Sequence, residues 1–147
     1  MDSIKISTGI KRIHIIRDDD FEADISFNPT DALFAEKFYM VYKEFMKKQE
    51  EYNLKSKELD EHKNEVDENG IPSNIEQGIS FLTEVCTFMR DKIDQLFGAG
   101  TSDKVFGNTQ SIDAINQFFS GIIPFVSKAR AEKISKHVSG NANKVLK

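Results

Sequence analysis

Between residues 21 and 27, Phe21, Ala23, Ile25 and Phe27 alternate with Glu22, Asp24 and Ser26. A repeat of two places the apolar set on one face of a strand and the polar set on the other. The preceding run RIHIIR supplies Ile13, Ile15 and Ile16, and Asp18, Asp19 and Asp20 between the two runs suit a hairpin turn. Ile4 and Ile6, ahead of Gly9, have the spacing of a further short strand.

From residue 28 the period lengthens. Asn28 suits an N-cap, Pro29 the first helical position, and Asp31 the positive helix end. Phe34, Phe38, Val41, Tyr42 and Phe45 then recur at three and four, predicting a long helix over 29–68. Past Phe45 the stripe thins to every seventh residue: Phe38, Phe45, Tyr52, Leu59, Val66. Lys48, Lys55 and His62 hold the companion positions, so a coiled-coil seam would be half empty. Two readings stay open, a solvated helix extending beyond the core and a helix completed by another chain. Asn69, Gly70 and Pro72 end it.

A central helix over 74–97, capped by Ser73 or Asn74, carries the strongest stripe: Ile75, Ile79, Leu82, Cys86, Met89, Ile93 and Leu96. A last helix over 111–138 carries Ile112, Ile115, Phe118, Phe119, Ile122, Ile123, Val126 and Ile134, with a kink or break expected near Ser120 because of Pro124. These elements predict an α+β fold, mainly α-helical. One domain spans 1–139, with a β-hairpin region in 1–27 packed on three or four helices, followed by a flexible tail at 140–147.

Between the second and last helices lies FGAGTSDKVFGNTQS, residues 97–111. A phosphate loop would place Gly directly before its Lys and follow a buried strand. Here Asp103 precedes Lys104 and a helix leads in, so the segment predicts a connection: Gly98 closes one helix, Thr101 or Ser102 opens a single turn, and Ser111 caps the next.

Composition narrows the function classes. The chain has 147 residues and a net charge of −4. Residues 18–68 carry 16 acidic against 7 basic side chains, and residues 128–147 carry 6 basic against 1 acidic. That polarity favours head-to-tail or acidic-to-basic contacts, and no dense basic face points to nucleic acid. No apolar run is long enough for a membrane span, and no signal segment follows Met1. With the single Cys86 this predicts a cytoplasmic protein in a reducing compartment. Cys86 falls on the apolar stripe, as core filling. His14, His62 and His137 are dispersed; His62 with Glu58 or Glu65, and the Asp18–Asp20 triplet, lack metal-site spacing. No catalytic, cofactor-binding or metal residues are predicted, so the chain is not expected to be an enzyme.

Three segments, FNPTDALFAEKFYMVYKEF, FGAGTSDKVFG and FFSGIIPFVSKARAEKI, in this order and at this chain length, resemble small proteins from tail-morphogenesis regions of phages and prophages of Gram-positive bacteria. The functional label attached to that resemblance is tail assembly chaperone. It implies a non-catalytic protein of the infected or lysogenic host cytoplasm, absent from the mature virion. It would bind the helical tape-measure protein and promote polymerisation of the tail-tube protein. It also implies a mainly helical chain prone to self-association as a homo-oligomer, and a longer form made by frameshifting. Apolar helix faces would be the contact surface, which singles out Phe38, Tyr42, Phe45 and Tyr52, then Phe118, Phe119, Ile122 and Phe125. Ordinary core packing is the competing reading for both sets. Two other functions are a structural tail or neck component of the virion and a small acidic inhibitor of a host enzyme.

Overall fold

A computed structural model describes residues 1–61, 65–71 and 74–146, with side chains described except at 59, 60 and 132–146. The predicted hairpin forms from β1 (Lys11–Ile16) and β2 (Glu22–Phe27), antiparallel, with Ile13 opposite Ile25 and Ile15 opposite Ala23. At its turn the Arg17 N–H donates to the Phe21 carbonyl at 2.9 Å and the Asp20 N–H to the Arg17 carbonyl at 3.1 Å. Asp20 takes φ 67°, the left-handed region that short polar side chains tolerate. Ile25 and Phe27 are buried against the helices, while Arg12, His14, Glu22 and Asp24 face out. Residues 1–10 form no regular element, so the strand predicted around Ile4 and Ile6 is absent.

Helix α1 (Ala32–Glu61) starts three residues later than Pro29. Asn28 Oδ1 instead accepts the Thr30 N–H at 3.1 Å, forming a turn, and Asp31 Oδ1 accepts the Leu33 N–H at 3.0 Å. Asp31 is therefore the cap, because Asn28 still follows the last strand pair, Phe27 with Lys11. At the other end, Asp67 Oδ1 accepts the N–H groups of Asn69 at 2.8 Å and Ile71 at 3.0 Å. That turn replaces the helix predicted through residue 68. His62, Pro72 and Ser73 lie outside the described residues, as do the side chains of Leu59, Ile134 and His137.

Helix α2 (Ile75–Phe97) lies antiparallel to α1, the most extensive helix–helix contact of the fold. Its direction is read from three pairings. Tyr52 stacks on Phe81 at 6.1 Å, Lys48 Nζ lies 5.0 Å from the Phe88 ring, and Glu44 meets Lys92 at 3.7 Å. The seam on α1 is thus completed through Tyr52 by the chain's own second helix. Lys48 fits it by laying its stem along apolar surface with its charge over a ring. Past Tyr52, Asn53, Leu54, Lys57 and Glu58 are exposed.

A short α3 (Thr101–Phe106) leads into α4 (Ile112–Leu146). α4 continues through Gly121 and Pro124 and past residue 138, without the predicted break. Pro124 removes the bond to the Ser120 carbonyl, but Ser120 is exposed, so water can take that acceptor. Ser111 Oγ accepts the Ala114 N–H at 3.2 Å, as a cap should. No helix among the described residues is long and apolar enough to cross a membrane.

Candidate interaction surfaces

The two aromatic sets singled out in the sequence meet each other. Phe119 lies 5.8 Å from Phe38, 5.9 Å from Tyr42 and 5.2 Å from Phe45, ring centre to ring centre. Phe118 packs edge-on to Phe97 at 5.3 Å and Phe106 at 5.8 Å. Phe38, Phe45, Phe118, Phe119 and Ile122 are buried, and Tyr42, Tyr52 and Phe125 are half-buried. Helical spacing marks an apolar face without saying what covers it. Here α1 and α4 cover one another, so in the folded chain Phe38, Phe45 and Phe119 offer no open surface, and Phe118 and Ile122 show only an edge to the space between β1 and α4. Of the other three, Tyr42 is packed on Phe119, Tyr52 on Phe81, and Phe125 lies under Lys11 Nζ at 5.0 Å.

The glycine-rich connection is held from three sides. Gly98 and Gly100 take φ 115° and 86°, which side chains resist. The Ser102 N–H and Oγ–H both donate to the Asp94 carboxylate, at 2.7 and 3.0 Å, so α2 itself caps α3. Arg90 Nη2 donates to Asp103 Oδ1 and to the Gly107 carbonyl, both at 2.7 Å, and its Nη1 to the Thr109 carbonyl at 3.1 Å. Arg17 reaches the Asp103 and Lys104 carbonyls at 2.9 and 3.2 Å, tying the hairpin turn to the end of α3. Thr101 and Ser102 are buried, as are most of both guanidinium side chains. These donors are directed at the protein's own carbonyls and carboxylates, which is the chemistry of a clamp.

Two polar groupings face solvent. His14 Nδ1 lies 2.6 Å from Asp24 Oδ1, its cross-strand partner, and Nε2 lies 3.2 Å from Glu22 Oε1. The Asp24 bond, then the Glu22 bond, raise the His14 pKa above its ordinary 6.5. In the turn, Asp19 chelates Arg17 at 3.0 and 2.9 Å, which lowers its pKa. Burial pushes the Cys86 thiol up. No group of three potential metal ligands lies together among the described residues.

The exposed apolar side chains are others. Leu54, Ile75 and Ile79 stand open at one end of the α1–α2 pair. Ile4 and Ile6 project from the segment ahead of the hairpin, 88% and 79% exposed. A groove of about 740 Å³ runs between β1 and α4, with Ile13, Ile15, Phe118 and Ile122 along it. Ile75 and Ile79 open the α2 stripe but lie beyond the length of α1 that carries aromatics, so the stripe hid their exposure. For Ile4 and Ile6 the sequence showed the alternation but not whether a strand edge of the same chain would pair with it.

An antiparallel hairpin followed by four helices defines the class, an α+β protein that is mainly helical. Within that class the chain belongs to DUF6673, a family of unknown function, whose profile matches residues 20–145. The match takes in β2 and the helices through residue 145. Comparison with curated proteins and with solved structures gives no match.

Proposed function

We propose that the protein is a phage tail assembly chaperone that holds the helical tape-measure protein and assists tail-tube assembly through non-catalytic contacts. The reading draws on the three-segment resemblance. The observation that carries it is the open end of the α1–α2 pair, where Leu54, Ile75 and Ile79 are 62%, 44% and 57% exposed. Apolar side chains on two neighbouring helix ends, flanked by Lys57, Glu58 and Glu76, suit a third amphipathic helix that docks and leaves. These residues replace the buried Phe38, Phe45, Phe118, Phe119 and Ile122 as the client surface. In the infected host the protein would act before tube closure and stay out of the finished particle.

The test is co-expression with phage tape-measure and tail-tube proteins, followed by affinity capture. Capture of the tape-measure protein, lost in a Leu54→Glu/Ile79→Glu variant with unchanged circular dichroism, supports the reading. Repeated capture of neither protein refutes it. Mass spectrometry that finds the chain stoichiometrically in purified virions would instead make it a structural component.

A further inference from the structure

We infer that residues 3–8 of one copy add as a strand to the open edge of β1 in a second copy, seating Ile4 and Ile6 in the groove between β1 and α4. The edge comes first. Arg17 bonds through its N–H to the Phe21 carbonyl, and the register steps evenly from that pair to Ile13 with Ile25. Antiparallel pairing alternates, so Ile13 and Ile15 turn their main-chain groups toward β2, and Arg12, His14 and Ile16 turn theirs to the open side. No hydrogen bond among the described residues occupies those outward groups. Such an edge is a template for another strand.

The groove beside it is shaped for side chains. It is lined by Ile13 and Ile15 from β1 and by Ala114, Phe118, Gly121 and Ile122 from α4. A Cβ added at Gly121 would meet nothing within 4 Å, so the floor of α4 is open there. A strand placed on β1 would direct every second residue over this floor. Ile4 and Ile6 have that spacing.

In its own chain the arm is directed elsewhere. The Thr8 carbonyl accepts from Asn28 Nδ2 at 2.5 Å and Thr30 Oγ1 at 3.2 Å. Both donors follow β2, so the base of the arm is held on the β2 side, away from the open edge of β1. Gly9, at φ 92°, makes this exit, and any Cβ there would collide with the Thr30 side chain. Length agrees as well: an arm of six residues spans roughly 20 Å, and the edge from Arg12 to Ile16 roughly 13 Å.

Sedimentation velocity of the full chain against Ile4→Asp/Ile6→Asp and Gly121→Leu variants tests this. All three sites are exposed, so circular dichroism should stay that of the native fold. The expected result is concentration-dependent self-association of the native chain, weakened about 100-fold or more by either variant. Mixing the two variants should restore a heterodimer, since one keeps its groove and the other its arm. A native chain that stays monomeric to several hundred micromolar overturns the proposal. So does association that survives the arm variant, or a mixture that fails to associate. Client capture through Leu54 and Ile79 is measured separately, so either reading can fail alone.

Discussion

Replacing Phe119 with alanine tests whether the aromatic residues of α1 and α4 serve the fold. Phe119 is 1% exposed and touches Phe38, Tyr42, Phe45 and Phe118. Removing its ring returns the transfer free energy of a buried Phe, about 1.5–3 kcal/mol. The ring leaves a cavity of roughly 100 Å³ between two helices, which at about 24 cal/mol per Å³ adds about 2 kcal/mol. The expected loss is about 4 kcal/mol. With a urea dependence of about 2 kcal/mol/M, the midpoint falls by about 2 M. The melting temperature falls by roughly 8–16 °C. Urea titration followed by circular dichroism and tyrosine fluorescence reads this directly. A Phe45→Leu/Phe119→Leu cycle should add a coupling of about 0.5–1.5 kcal/mol, because those two rings stack at 5.2 Å. Leu54→Ala, at an exposed site, should change stability by no more than about 0.5 kcal/mol. A loss below about 1 kcal/mol for Phe119→Ala would refute the reasoning, since the ring would then face a partner and not this chain's helices.

Arg90→Lys should cost about 2–3 kcal/mol in the same titration, because one ammonium cannot reach the Asp103 carboxylate and both the Gly107 and Thr109 carbonyls. His14 should titrate above 6.5 by NMR, owing to Asp24 and Glu22. Its raised folded value makes its stabilising share full below pH 6.5 and lost as pH rises through that value, and His14→Gln should flatten the urea midpoint across this window. Cys86 should react slowly with a disulfide reagent in the native protein and rapidly in urea, because burial disfavours the reactive thiolate.

The elements were legible where one face had one use. Alternation in 21–27 and the stripe from Ile75 to Leu96 located β2 and α2 to within a residue or two. Boundaries set by local side-chain bonds were not, because Asn28 and Asp67 can serve a helix or a turn. Only the neighbours, a strand end at Phe27 and the N–H groups of Asn69 and Ile71, decide between the two. The continuity of α4 was hidden for a related reason. Proline at 124 removes one donor, and its cost depends on whether the orphaned carbonyl at Ser120 is wet. Surfaces were hardest to read. Phe38 and Phe119 obey a period that an interface and a core share, and only their mutual distance of 5.8 Å shows which one they form here.

The β1–α4 groove depends on contacts remote from it. β1 meets α4 sparsely, and the hairpin turn is fixed mainly through Arg17, whose donors reach the end of α3. α3 is in turn held by Asp94 through Ser102 and by Arg90 through Asp103. The position of the groove therefore follows from this chain of polar contacts, which starts on α2, together with the burial of Ile25 and Phe27. Both walls are set by apolar packing, with Ile13 and Ile15 of β1 against the core, and the charge-assisted bonds that fix the turn at the end of β1 weaken with salt. A strand entering there would meet apolar side chains from both β1 and α4 beside an unpaired main-chain edge, so it would bury its own apolar face as its main chain completed the ladder.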